Sequence, residues 1–354
     1  MKTAVVIQAG GVGTRLWPLS TQNLPKQFSK LVDGKSLLRS TFERIHKQYD
    51  HSDIFITSNI RFKDLILKEI PELSENNLIL EPKKMDTTAI IGLTSFKMKS
   101  MGYETVISVA CDHYIKDVNE FLKILKIAGQ ANEKYRDNLI LIGMNPTYPS
   151  TGFGYIEMSA PVDRIDGETI FSVNTFKEKP DLKTAEKFIS DWKYLWNASY
   201  FIFNPEFLLE KYKLLVENTY NILEKCFSLD PHSNEFLELF SKCDAIPFDY
   251  SILEKLDNTF VIPANVGWSD IGSWKAIHDM FSNDEIDQNI SIGNSKFVNS
   301  EGSLIYSPGS DKLIAVLGLN NIIVINTPDV TFITNRENSE NVKKMVDEVE
   351  DKLK

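Results

Sequence analysis

The chain has 354 residues, 42% hydrophobic and 25% charged, with a formal net charge of −10. That length and balance support a large buried core, in one large domain plus a smaller one. The acid excess argues against a nucleic-acid or membrane-surface role, since both want basic patches, so an anionic ligand must meet a local group of cations.

The first expected element is the strand AVVIQ (4–8), short, apolar and β-branched as a buried strand is. It runs straight into QAGGVGTRLWPLSTQNLPKQF (8–28), where Gly10, Gly11 and Gly13 form a turn with almost no side chains. Such a turn lets main-chain N–H groups approach an anion closely. Arg15 and Lys26 add two positive charges nearby. Two familiar phosphate-binding patterns fail here. Leu16 stands where a dinucleotide fingerprint needs its third glycine, and Gly13 precedes Thr14-Arg15 rather than Lys-Ser/Thr.

Further along, helical stretches at 36–48, 86–100 and 118–135 alternate with strands at 53–58, 77–81, 105–110, 139–144 and 200–204. The alternation predicts a mostly parallel sheet with helices on both faces, whose ligands bind beyond the carboxyl ends of the strands. Asp112, in SVACDHYI (108–115), follows one such strand end. Read alone it is a turn or helix cap; Cys111 reads as a small buried residue. After about residue 285 the texture changes to short strands separated by Asn, Gly, Ser and Pro, which reads as a compact β unit. The charged run 337–353 then reads as an amphipathic terminal helix. The division expected is therefore 1–284 and 285–354. Three cysteines without a CxxC pair argue against a disulfide frame or zinc site, and no leader-like or membrane-length apolar run is seen, so a cytoplasmic location is expected.

Taken together, several stretches resemble the sugar-1-phosphate nucleotidyltransferases, and the form RLWPLS…PKQF resembles their mannose-1-phosphate guanylyltransferase branch. The resemblance implies the nucleotide-diphospho-sugar transferase fold: a Rossmann-like, mixed, mostly parallel α/β sheet with a small C-terminal β domain like a partial left-handed β-helix. It implies that the loop wraps GTP, with Ala9, Gly10, Gly11, Gly13, Thr14, Arg15 and Lys26 about the nucleotide. SVACDHYI and VGWSDIGSW (266–274) match the two metal-bearing segments, so Asp112 and Asp270 would share a Mg²⁺ ion. STGFGYIE (150–157), FKEKP (176–180) and LWNASYFIF (195–203) match the sugar side, which assigns Gly154, Glu178, Lys179 and Asn197 to the sugar phosphate. Arg15, Lys26 and Lys179 would be the cations that carry catalysis. FDYSILEK (248–255) also matches and reads as scaffold, while Trp17, Trp268 and Trp274 read as packing.

Departures from the family pattern are local. EPKKMDTTA (81–89) keeps Glu81 and Thr87 beside the base and triphosphate, but places Met85 at a basic position and Asp86 where Asn is usual. Asp86 either alters nucleotide contacts or caps the following helix. Val12 replaces a smaller residue, and WNAS stands for WNSG. The implied activity is Mg²⁺-dependent transfer from GTP to mannose 1-phosphate, feeding glycan or polysaccharide synthesis. Partners would be GTP and the sugar 1-phosphate, with no nucleic acid and no membrane. The same chemistry on another sugar 1-phosphate or NTP, and a non-catalytic nucleotide-sugar-binding subunit, are the alternatives. The β tail either packs on the catalytic domain or builds a homodimer, and the chain leaves no room for the cupin isomerase domain of bifunctional relatives.

Overall fold

The computed structural model describes residues 1–11, 13–31, 34–282 and 287–353. Val12 and the expected boundary at 284/285 lie outside these residues. The chain forms two compact units that do not follow chain order. The larger, the sheet unit, comprises Met1–Gly10, Thr41–Cys111 and Ile115–Trp268, and the smaller, the coil unit, comprises Gly11–Ser40, Asp112–Tyr114 and Ser269–Lys354.

The sheet unit is built from β1 (Thr3–Gln8), β2 (Ile54–Asn59), β3 (Leu78–Glu81), β4 (Thr105–Ala110), β6 (Leu139–Met144), β7 (Gly154–Ile165), β8 (Glu168–Lys177), β9 (Tyr194–Phe203) and β10 (Thr259–Ala264). The two-residue strands β5 (Tyr114–Ile115) and β11 (Trp268–Ser269) lie outside this sheet. The strand order is β3-β2-β1-β4-β9-β6-β10-β8-β7, and β7 also pairs with β9. β3, β2, β1 and β4 run parallel, as do β6 and β10, while β9 is antiparallel to both β4 and β6. Val5, Ile7, Ile54, Ile56, Ile107 and Leu141 are almost wholly buried. Runs apolar on both faces are what a sheet covered on both sides requires.

Helix 86–100 shows how tightly that cover packs. It buries Thr88, Ala89, Ile90, Ile91, Gly92, Leu93 and Met98. A Cβ at Gly92 would stand 2.5 Å from Leu223 Cδ1 and 2.7 Å from Tyr212 Cε1, so only glycine lets the neighbouring helices come this close.

In the coil unit the β tail stacks in register. β12 (Ile290–Ile292) pairs in parallel with β14 (Leu304–Tyr306), β13 (Ser295–Val298) with β15 (Ile314–Leu317), and β14 with β16 (Ile322–Asn326). Successive turns of chain thus lie one above another as in a parallel β-helix. β17 (Thr331–Asn335) reverses direction against β16 and ends the stack. Leu16, Trp17, Leu31 and Leu37 from the N-terminal segment share one core with Trp274, Ile277, Ile290, Leu304, Tyr306 and Ile323. The packing expected for Trp17 and Trp274 is present: the Trp274 indole donates to the Trp17 carbonyl at 3.0 Å, and both rings are buried. The terminal helix is shorter than expected, Val342–Glu348, flanked by 3-10 turns. Asn335 accepts from the Asn338 N–H at the start of the first 3-10 turn, and Ser339 within that turn donates to the Arg336 carbonyl, both local side-chain bonds to the main chain. No helix among the described residues is long and apolar enough to cross a membrane.

Candidate active site

In the coil unit the glycine loop divides by function. Gly10, the last residue of the adjoining sheet-unit segment, and Gly11 would each meet nothing within 4 Å if given a Cβ. Both are exposed. Gly13 is different: it has left-handed backbone at φ 72°, and a Cβ there would lie 2.3 Å from the Cβ of Lys26. Its carbonyl accepts a hydrogen bond from the Ser20 hydroxyl. The glycine therefore lets the Lys26 segment pass against the loop. Thr14 and Arg15 stand exposed on the 3-10 turn that follows.

Lys26 is buried, and its charge is matched locally. Its Nζ lies 3.0 Å from Asp112 Oδ2 and donates to the Asp270 carbonyl at 2.6 Å. One ammonium thus joins two aspartates that are distant in sequence, the pair that the sequence assigns to a metal. Burial raises the Asp112 pKa, but the charges of Lys26 and His113 outweigh it and leave the carboxyl below its ordinary value. Asp270 Oδ1 accepts from the Gly272 N–H at 3.0 Å, and a Cβ at Gly272 would collide with Oδ2. Among the described residues no cluster of three or more His, Cys, Asp and Glu could hold a metal by itself. Two hard oxygens suit Mg²⁺ only if phosphates and water complete its shell.

In the sheet unit, Ala9 follows β1 and is fixed by β2: its N–H donates to the Thr57 carbonyl and its carbonyl accepts from Ser58 Oγ, at 2.8 and 2.9 Å. Cys111 is buried, as its small apolar character implies. Glu81 ends β3 almost wholly buried, and its Oε2 has no hydrogen-bond partner among the described residues. Burial pushes its carboxyl up to about 7, against a main-chain bond at Met85. Met85 is buried too, so this position contributes packing in place of a charge. Asp86 takes up left-handed backbone, φ 62°, and its carboxylate accepts from the Thr87 N–H at 2.9 Å at the start of helix 86–100. This bond to the next residue is local, and the helix start carries no side-chain cap. Thr87 Oγ1 accepts from the Phe248 N–H at 2.7 Å, which ties the predicted nucleotide residue to the FDYSILEK segment.

The sugar-side residues also gather within the sheet unit. Asn197 on β9 stands between Gly154 on β7 and Gly143 on β6, which pair with its two edges. A Cβ at Gly154 would fall 2.4 Å from Glu178 Oε2 and 2.8 Å from Phe176 Cζ. The missing side chain at Gly154 therefore makes room for the Glu178 carboxylate. Glu178 is buried and pairs through Oε1 with the half-exposed Lys179 at 2.8 Å. Lys179 has left-handed backbone, φ 43°, an uncommon state for a residue with a side chain. Burial works against its charge, yet Glu178 and, behind it, Asp249 and Tyr250 raise its pKa.

Sequence reasoning missed Asp249, having read its segment as scaffold. The Asn197 Nδ2 donates to Asp249 Oδ1 at 2.9 Å. Burial first, then the Glu178 charge, push the Asp249 carboxyl up to about 7. The signal in sequence is an acid inside an otherwise apolar turn, too common a pattern to single out. The other unanticipated feature is an aromatic cluster beside Gly154 and Asn197. Phe153 lies 5.2 Å from both Trp196 and Trp268, and Tyr148 4.9 Å from Trp196, all edge-on.

Comparison with known proteins identifies the family. The family described as nucleotidyl transferase matches residues 4–286, and the MannoseP isomerase/GMP-like beta-helix domain matches residues 293–349. A mannose-1-phosphate guanylyltransferase of Salmonella muenchen is 33% identical over 98% of this chain and 73% of its own length. One from Escherichia coli is 32% identical over 96% of this chain and 74% of its length. A crystal structure from Thermus thermophilus, described as a mannose-1-phosphate geranyltransferase, superposes at a TM-score of 0.87 with 26% identity, covering 98% of this chain and 99% of that one. The mixed sheet, the stacked C-terminal coils and likenesses that span nearly all of this chain place it in the nucleotidyl transferase family, alongside the mannose-1-phosphate guanylyltransferases.

Proposed function

We propose that this protein transfers a guanylyl group from GTP to α-D-mannose 1-phosphate, giving GDP-mannose and pyrophosphate for glycan synthesis in the cytoplasm. The observation that carries the reading is Lys26, buried, holding both the Asp112 carboxylate and the Asp270 main chain. In a chain of this family that arrangement suits a polyphosphate whose charge must be met where displacement occurs.

An oxygen of the sugar phosphate attacks the α-phosphorus of GTP in line, and pyrophosphate leaves with the electron pair of the broken P–O bond. A phosphate monoester is already an anion near neutral pH, so no general base and no covalent enzyme intermediate are needed. The main barrier is repulsion between two polyanions. At 4 Å, two like unit charges repel by roughly 4 kcal/mol at an effective dielectric of 20. Arg15 and Lys26 hold the triphosphate and meet the charge that grows on the leaving group. Ala9, Gly10, Gly11, Gly13 and Thr14 offer loop main chain to the nucleotide. Lys179 holds the sugar phosphate, while Glu178 and Asn197 take sugar hydroxyls. Glu81, buried at the end of β3 with one carboxyl oxygen unpartnered, is assigned to the base. Thr87 steadies the segment beside it. Asp112 and Asp270 would hold a Mg²⁺ ion together with the phosphates, and the ion would supply neutralisation of phosphate charge.

The test is a matrix of four NTPs against several hexose 1-phosphates, with Mg²⁺, reading pyrophosphate release and product mass. The reading expects GDP-mannose from GTP and mannose 1-phosphate as the dominant product. Dominance of another pair would overturn the substrate assignment. Silence across the matrix, with GDP-mannose still bound, would point to a non-catalytic binding subunit.

A further inference from the structure

We infer that Asp249 is a positioning residue of the sugar subsite, acting by fixing the Asn197 amide between its carboxylate and the Ser199 main chain. The inference rests on the assignment of Asn197 to the sugar proposed above.

An asparagine amide that must read a hydroxyl has two faces to present, and an unrestrained one presents either. Here both ends are set. The Ser199 N–H donates to Asn197 Oδ1 at 3.0 Å, closing an Asx turn that Ser199 accommodates with left-handed backbone, φ 54°. At the other end Asn197 Nδ2 donates one hydrogen to Asp249 Oδ1 at 2.9 Å. An amide has two Nδ2 hydrogens and two Oδ1 lone pairs. One N–H and one lone pair therefore remain, in fixed directions, for a ligand hydroxyl. Asn197 is 7% exposed, so its amide does not rotate freely.

The surroundings support a positioned acid in place of an accidental one. Asp249 feels the Glu178 charge directly and lies within range of Lys179. Glu178 itself occupies the space opened by Gly154, whose missing Cβ would also stand 3.3 Å from Asn197 Cβ. Three residues assigned to the sugar thus converge on one carboxylate supplied from a distant segment, Phe248–Ser251. The Phe248 N–H is in turn held by Thr87 Oγ1, so the short helix carrying Asp249 is anchored at its start.

The test compares wild type with D249A, D249N, N197A and the D249A/N197A double variant. KM for mannose 1-phosphate, KM for GTP, kcat and melting temperature are measured for each. D249A is expected to raise KM for mannose 1-phosphate about tenfold with KM for GTP within twofold of wild type. D249N keeps an oxygen that accepts the same bond and is expected to return that KM to within threefold. The double variant is expected to be no weaker than N197A, because the two residues act through one bond. Equal losses for D249N and D249A, a rise in both KM values together, or multiplied losses in the double variant would each overturn the inference. Wild type inactive on mannose 1-phosphate would overturn the functional reading and the subsite with it. Wild type active with D249A unmoved would overturn the role of Asp249 alone.

Discussion

Replacing Gly13 by alanine separates the two uses of glycine in the loop. Gly13 stands at φ 72°, ψ 39°, where a residue with a Cβ is less stable by roughly 1–2 kcal/mol. The new Cβ would sit 2.3 Å from Lys26 Cβ and 3.2 Å from its Cγ and Cδ. Carbon atoms rest about 3.5–4.0 Å apart, so the two segments must part by about 1 Å or more. Lys26 Cβ is fixed to the main chain and cannot swing aside like a side-chain end. The ammonium is therefore drawn away from Asp112 and the Asp270 carbonyl. A misplacement of that size lowers the rate about 100-fold when the displaced group positions reacting atoms. Melting temperature by calorimetry and kcat/KM by coupled pyrophosphate release are the assays. G13A is expected to melt a few degrees lower and to lose about 100-fold in kcat/KM. G10A and G11A, whose added Cβ meets open space, are expected to keep the wild-type melting temperature while losing nucleotide affinity. A G13A enzyme with lowered melting temperature but kcat/KM within twofold of wild type would refute the reasoning, since Lys26 placement would then not matter.

Three other expectations follow from the same geometry. D270N keeps an oxygen for the Gly272 N–H and should fold normally, whereas D112A leaves the buried Lys26 ammonium without its carboxylate and should fold with a lowered melting temperature; both should lose at least about 100-fold in kcat, and near-normal turnover in either would remove that residue from the metal site. K179A should raise KM for the sugar phosphate, and an effect confined to GTP would show that its role is misassigned. Glu81 binds its proton more tightly in the folded state, about 7 against 4.5, so stability is greatest below the lower value and falls by about 3 kcal/mol as pH rises through that window. Chemical denaturation from pH 4.5 to 8 should show that slope in wild type and a reduced one in E81Q, and identical slopes would place the titration elsewhere.

The parallel half of the sheet was legible because strands covered on both faces must be apolar throughout, as AVVIQ and TVISVA are. The hairpin of β7 and β8 was not, because its exposed end alternates irregularly through register shifts between Glu157 and Asp163. The union of Leu16, Trp17 and Leu31 with the C-terminal coils was equally hidden, since their partners lie far along the chain and local pattern carries no such information. Arg15, Lys26, Asp112 and Asp270 could be named from motif, yet the bridging position of Lys26 required coordinates. Asp249 shows the opposite case: its chemistry comes from burial and then from Glu178, Lys179 and Asn197 around it, none of them a sequence neighbour.

The most direct test follows the configuration at the α-phosphorus. GTP carrying a sulfur of known configuration on that phosphorus is incubated with mannose 1-phosphate and Mg²⁺, and the thio-GDP-mannose formed is assigned by phosphorus NMR. A single in-line displacement by the sugar phosphate predicts inversion. Retention would require two displacements through a guanylylated side chain, and would contradict a site that works by bringing two polyanions together without a nucleophile of its own.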